Sequence, residues 1–368
     1  MYKFIKQSPL GELYINPETN RFFLHEKGVL ETNVLKIWRK FETARIPLKA
    51  KIEITGKCNL RCYYCYNAQA YESQQLTTKD ILNIFHTFEN LNIAFLELTG
   101  GEPFMRNDME FLLNYLNTKN FIVSIITNGT LINQKHLDIL KKMKSVKLYV
   151  SLLAPVEKEC DRLTGVKGSF RRIMRSVIRI MEQGINLDVS VTLTHENIKY
   201  YKEFHELERK IGRNFRYSIG ADPKFDALED NLEYSLTEDD LSLLPHYFPE
   251  NLFSAGEALC GAGCSQFYIA NNGDLYPCFK FRLNMGNILE KDFKELWNDR
   301  NNVEAVRKAL SRSDPNPGCT DCQYAETCFY CPGIAYQFKN YKNGKFMPYY
   351  CSRAKELYYS KMKFQNQV

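Results

Sequence analysis

From residue 50 to residue 225 the chain alternates two apolar rhythms. Short runs rich in β-branched and aromatic residues recur: KIEIT (51–55), AFLELT (94–99), FIVSIIT (121–127), VKLYVSLL (146–153), LDVSVTL (187–193) and FRYSIG (215–220). Such runs read as strands. Between them lie stretches with helical spacing, ILNIFHTFENL and FRRIMRSVIRIMEQG among them. Gly184 closes the second at a C-cap position. Six βα units in succession predict a parallel sheet with helices outside it. The expected fold class is therefore α/β, a partial (β/α)6 TIM-like barrel short of the complete eight units. The loops at the C-terminal strand ends should carry the site.

The flanks read differently. In residues 1–49, Ile5 to Phe23 reads as strand, turn and strand, and Leu30 to Phe41 as a helix. Residues 226–254 are acidic, with several turn formers, and read as a linker. Residues 255–368 hold short elements, many Gly, Pro and Asn residues and eight cysteines, ending in a helix. That segment has little apolar material for a core, so metal is the expected staple. Residues 339–363 carry seven Lys or Arg against the single Glu356. This run reads as a solvated terminal helix or as a docking surface for an acidic peptide.

Composition narrows the class. Of 368 residues, 44% are apolar and 25% charged, as in ordinary globular proteins. A net charge of +6 is too weak to argue for nucleic-acid binding. The N-terminus lacks the apolar core of a signal peptide, and no run is long enough to span a bilayer. A cytoplasmic location is expected. Twelve cysteines then point to metal or catalysis, because cytosolic thiols stay reduced.

Three of these cysteines form Cys58-Asn-Leu-Arg-Cys62-Tyr-Tyr-Cys65, directly after KIEIT. Three thiolates on one loop can bind three irons of a 4Fe–4S cube and leave the fourth open to chemistry. Zinc is the competing reading, although zinc sites usually pair two cysteines with a second CxxC or a His pair. The Cx3CxxC motif, with Tyr64 before its last cysteine, resembles the signature of the radical S-adenosylmethionine (SAM) superfamily. That resemblance implies SAM chelated to the open iron, its cleavage to a 5′-deoxyadenosyl radical, and hydrogen abstraction from a substrate. It also implies an external electron donor of the flavodoxin or ferredoxin type. Gly100-Gly101-Glu102-Pro103 after the second strand resembles the family's GGEP motif, whose backbone and Glu hold the SAM amino group. Two glycines allow close backbone approach, and a carboxylate suits an ammonium. Thr127 and Asn128 after strand three, and Ser151 after strand four, resemble contacts to the SAM ribose or carboxylate. The chain departs from the family at Ser151-Leu152-Leu153-Ala154-Pro155, where relatives often carry Ser-Leu-Asp-Gly.

The remaining cluster of cysteines is Cys260, Cys264, Cys278, Cys319, Cys322, Cys328, Cys331 and Cys351. Eight thiolates saturate two 4Fe–4S clusters, and zinc-ribbon spacing competes. With Tyr276-Pro277-Cys278 and Met285-Gly286-Asn287, the pattern over roughly residues 255–352 resembles the SPASM domain. The resemblance implies two auxiliary clusters, one on Cys260, Cys264, Cys278 and Cys331, the other on Cys319, Cys322, Cys328 and Cys351. Here two residues separate Cys328 from Cys331, where the family usually has three. SPASM relatives modify peptides by sulfatase-type maturation, thioether formation, cross-linking or epimerisation. Phe279 stands where sulfatase maturases carry an Asp read as general base, which argues against that activity. Lys280 and Asp274 are alternative bases or surface residues. Cys160 reads as a small buried thiol or as the hydrogen-atom donor an epimerase needs. The resemblance thus implies a maturase that installs a C–C, C–heteroatom or thioether cross-link in a ribosomally made precursor peptide with a leader, with peptide epimerisation, sulfatase-type maturation and small-molecule oxidation as alternatives. Residues 1–49 are shorter than a winged-helix recognition domain. They are expected to cover the barrel or to pair with a leader by strand addition.

Overall fold

The computed structural model describes residues 3–15, 22–67, 75–219, 234–237, 239–241, 260–310, 322–328, 331–341 and 346–365. Most of the expected linker over 226–254, and Cys319, lie outside the described residues.

The six expected strands are all present: β5 (Lys49–Thr55), β6 (Phe95–Gly100), β7 (Ile122–Thr127), β8 (Val146–Ser151), β9 (Leu187–Leu193) and β10 (Arg216–Ile219). They pair in parallel in sequence order. Alternation explains the layering. One face of each of β5 to β9, such as Ile52, Leu98, Ile125, Val150 and Val189, is fully buried against the outer helices. The other face, with Lys51, Glu97, Lys147 and Asp188, is polar and turns into the lumen.

Two features depart from the expected layout. First, the cysteine-rich segment is not a separate layer. Its strand β11 (Gln266–Ile269) adds in parallel to β5, with Gln266 opposite Lys49 and Ile269 opposite Ile52. β12 (Leu275–Tyr276) then pairs antiparallel with β11. Nor is this segment poor in core throughout. Phe267, Phe293 and Trp297 are buried and stack on one another, and Phe267 meets Phe88 edge-on at 5.5 Å.

Second, the N-terminal piece is a four-stranded antiparallel meander: β1 (Lys3–Ser8), β2 (Gly11–Ile15), β3 (Phe22–Glu26) and β4 (Val29–Glu31). Helix α1 (Val34–Thr43) begins four residues later than expected. Asn33 is its cap, accepting from Lys36 N–H at 3.1 Å, so Leu30 is left in a strand. Leu13, Leu24, Ile37 and Phe41 bury against Leu48 and Ala94, at the starts of β5 and β6. This piece therefore covers the bottom of the barrel, the end remote from the Cys58–Cys65 loop. Its far end is latched to the cysteine-rich segment. Arg45 donates to the carbonyls of Gly263 and Trp297 at 3.1 Å each, and Trp297 Nε1 returns a bond to Arg45 O at 3.2 Å.

Candidate functional site: the thiol loop and its surroundings

The loop after β5 is held by backbone before any ligand enters. Arg61 N–H donates to Thr164 O at 2.8 Å, and Tyr63 N–H to Leu163 O at 3.1 Å. Both acceptors end helix α5 (Glu157–Thr164). Asn59 Nδ2 reaches Thr130 Oγ1 at 2.8 Å. Asn128, one of the expected SAM contacts, donates to Asn59 Oδ1 at 3.0 Å and to Cys58 Sγ at 3.7 Å. It thus orients the Cys58 thiol. Tyr64 is buried, which raises its pKa well above the usual phenol range, and it shares a hydrogen bond with Thr192.

Burial, and then the nearby Cys65 and Cys58, push the Cys62 thiol far above its ordinary pKa. Three thiolates gathered in one partly buried loop repel, and a bound cation removes that cost. Among the described residues, no three His, Cys, Asp or Glu side chains converge on a single metal-ion site. A cubane asks for a different arrangement, one thiolate at each of three iron corners, and the donor set fits it.

Gly100 and Gly101 prove necessary for a reason closer to home than a ligand. A Cβ on Gly100 would lie 2.1 Å from Thr55 O, and one on Gly101 would lie 2.2 Å from Lys57 O. The pair lets the end of β6 press against the start of the thiol loop, where Gly101 N–H bonds Thr55 O and Glu102 N–H bonds Lys57 O, both at 2.8 Å. Glu102 is fully buried. Its carboxylate accepts from Thr127 Oγ1 at 2.7 Å, Asn128 N–H at 2.7 Å and Phe104 N–H at 3.0 Å. Burial pushes its pKa up to about 7 against those donors. Glu102 is thus a strut between two βα loops, with Pro103 opening the turn behind it. Much of its accepting capacity is already used, so the exposed edge of the motif is backbone. Ser151 is half-buried at the end of β8, opposite Ser190 of β9.

Cys160 lies behind the loop, near enough to Cys62 to add to the rise of its pKa. It is fully buried on α5, bonded to the backbone at Leu153 and Ala154 and to Ser169, and burial pushes its pKa up to about 11. A hydrogen-atom donor must reach the substrate, and this position gives the thiol packing instead. Asp274 is likewise occupied, accepting from Asn272 Nδ2 at 2.9 Å and Asn287 Nδ2 at 3.0 Å within its turn.

The cysteine-rich segment gathers its thiols in two places. Cys331 and Cys278 lie close enough to Cys260 to raise its pKa, after burial, to about 12. Cys264 lies beside Arg45. Cys322 and Cys328 flank a short turn whose Thr327 Oγ1 donates to Ala354 O at 2.8 Å, on the helix that carries Cys351.

Sequence reasoning missed what joins the two regions. Glu53, buried on the inner face of β5, accepts from Asn67 Nδ2 at 2.8 Å and shares a hydrogen bond with Tyr268. Arg282 lies beside it, stacked between Tyr268 and Tyr276 at 4.6 and 4.9 Å. Phe279 meets Tyr66 at 5.8 Å, and the Lys51 ammonium sits 4.0 Å above its ring. The period-two alternation of KIEIT was the available signal, since it turns Lys51 and Glu53 inward. Burial works to raise the pKa of Glu97, but Lys51 and Lys49 outweigh it and hold it down to about 2.

The radical SAM superfamily matches residues 52–207, and the SPASM iron–sulfur cluster-binding domain matches residues 260–323. The chain is a radical SAM enzyme with a SPASM domain. It therefore uses SAM, a SAM-binding 4Fe–4S cluster and auxiliary clusters. It is 24% identical over 322 residues to an AdoMet-dependent heme synthase of Nitratidesulfovibrio vulgaris, covering 77% of this chain and 87% of that one. It is 28% identical over 280 residues to the subtilosin biosynthesis protein AlbA of Bacillus subtilis, covering 69% of this chain and 60% of AlbA. The mycofactocin maturase MftC of Mycolicibacterium smegmatis is 25% identical, over 77% of each chain. The fold is shared with Streptococcus suis SuiB bound to S-adenosylmethionine, at TM-score 0.67, 19% identity and coverage of 88% of this chain and 93% of SuiB. Among the described residues no helix is long and apolar enough to cross a membrane.

Proposed function

We propose that this radical SAM enzyme oxidatively cross-links a ribosomally made peptide, in a reducing cytoplasmic setting and with an external electron donor. The pairing of β11 with β5 carries the reading. It supports it by bringing Phe279, the residue after Cys278, to 5.8 Å from Tyr66, next to the thiol loop. Forming a new bond between two substrate atoms removes two hydrogens. One leaves as an atom to the SAM-derived fragment, and the other must leave as a proton and an electron. Clusters held by the cysteines would supply one electron to cleave SAM and a place to receive another. The chain's own residues hold the loop, orient Cys58 through Asn128 and line the lumen with polar groups. The named activities of AlbA and MftC support a peptide substrate.

Anaerobic incubation with SAM, reductant and the candidate precursor tests it. A peptide two mass units lighter, together with 5′-deoxyadenosine, is expected. Unchanged mass with deuterium uptake from solvent would indicate epimerisation. A second reading, oxidation of a small molecule, is favoured by the similarity to heme synthases over most of their length. Turnover of a small molecule and none of the peptide would select it.

A further inference from the structure

The lumen is charged in a particular way. On the β5 side, Lys49 and Lys51 share the single carboxylate of Glu97, at 2.8 and 3.0 Å. Lys51 also stands 4.0 Å over Phe279, and Lys280 lies 5.4 Å from the same ring. On the β8–β10 side, the Tyr149 ring has Lys147 at 5.2 Å and the Arg216 guanidinium at 5.5 Å. Lys147 pairs with Asp188 at 2.7 Å. Arg216 is exposed, and no carboxylate pairs with it among the described residues. Each side is therefore an aromatic ring between cations: Lys51 and Lys280 about Phe279, Lys147 and Arg216 about Tyr149. Arg216 lies level with Ser190, itself opposite Ser151, so it stands at the height where the loop chemistry meets the lumen.

We propose that the lumen selects an acidic peptide segment, whose Asp or Glu side chain docks on Arg216 while its neighbours lie against Tyr149 and Phe279. This rests on the peptide reading above and narrows it. A carboxylate meets the planar guanidinium with two parallel hydrogen bonds, and it meets fewer competing anions there than at either lysine pair. Low dielectric around the half-buried lysines adds to the attraction. The Phe279 position, which would add a negative charge if it were an acid, contributes a neutral face.

The test is selection of a random seven-residue peptide library, displayed on mRNA, against the SAM-loaded holoenzyme. Asp or Glu should be enriched about tenfold at one position, equivalent to ~1.4 kcal/mol of preference. Arg216→Gln should erase that preference, and Arg216→Glu should turn it toward Lys or Arg. Lys291→Glu, an exposed reversal of the same net charge on the C-terminal segment, should leave it in place. Iron content of each variant reports whether it is folded and loaded. Enriched peptides without acidic residues, or an acid preference that survives Arg216→Glu, overturn the inference. So does Arg216→Gln weakening SAM binding while the acid preference stays. Enrichment of no peptide at all overturns the peptide reading as well, and 5′-deoxyadenosine formation without peptide then still separates both failures from the radical SAM assignment.

Discussion

The two cysteine-bearing regions are stabilised by different means. The Cys58–Cys65 loop is clamped by main-chain bonds to α5, by the Gly100–Gly101 approach and by the buried Glu102 strut. Its shape is supplied by the polypeptide. Residues 322–365 carry only a few described fully buried apolar side chains, such as Ile334 and Leu357, and gather cysteines from a turn and a helix. Their order depends on what the thiols bind. Between these extremes, residues 260–310 dock an aromatic cluster into the barrel core and a strand onto its sheet. The loop after β5 is thus preformed, and residues 322–365 are expected to be built by the metal their thiols bind.

The contrast predicts its own breaking points. Iron removal by an anaerobic chelator should have the largest effect, exposing residues 322–365 to proteolysis while 49–219 stay protected. Equal protection before and after chelation would erase the contrast. Gly101→Ala comes next. Its new Cβ would meet the Lys57 carbonyl, and clashes with backbone cost roughly 2–3 kcal/mol, or several degrees in Tm. An unchanged Tm would mean that the close approach is not needed.

Glu102 gives a pH signature of similar or smaller size. Its folded pKa of about 7 exceeds the ordinary 4.5, so the folded chain holds a proton that the unfolded chain has lost. The resulting stability is fully present below pH 4.5 and disappears as pH rises through 7, at most roughly 3 kcal/mol. Thermal unfolding of the metal-free chain across that window should show the decline, and Glu102→Gln should flatten it. The smallest effect belongs to Cys160→Ala, which should cost about 1 kcal/mol and leave the identity of the product unchanged. A changed product by mass spectrometry would return Cys160 to the chemistry.

Much of this was legible in the chain. Five of the six barrel strands, β5 to β9, follow from apolar runs buried on one face, because such runs have few other places to go, and β10 follows from its β-branched and aromatic residues at the sheet edge. Cx3CxxC located the loop because its spacing is itself the ligand geometry. What stayed hidden depends on long-range pairing. QFYI is a four-residue run with three apolar or aromatic side chains that any short strand could offer, and nothing local says that it adds to β5. The Glu53–Arg282 contact joins positions more than two hundred residues apart. The four-stranded meander exceeded the expected hairpin because β1 and β4 are edge strands with exposed Phe4, Val29 and Leu30, and so lack a buried-face pattern. Glu102 read as a ligand group because a sequence shows a carboxylate and not the three donors around it.

The central claim is that the preformed loop makes the radical and the cysteine-rich segment completes the oxidation. Anaerobic turnover of the reconstituted wild type, Cys58→Ala and Cys331→Ala, with SAM, reductant and the precursor peptide, tests it most directly. The wild type should form 5′-deoxyadenosine and a peptide two mass units lighter, Cys58→Ala neither, and Cys331→Ala 5′-deoxyadenosine without the lighter peptide. 5′-Deoxyadenosine from Cys58→Ala, or the lighter peptide from Cys331→Ala, would contradict it.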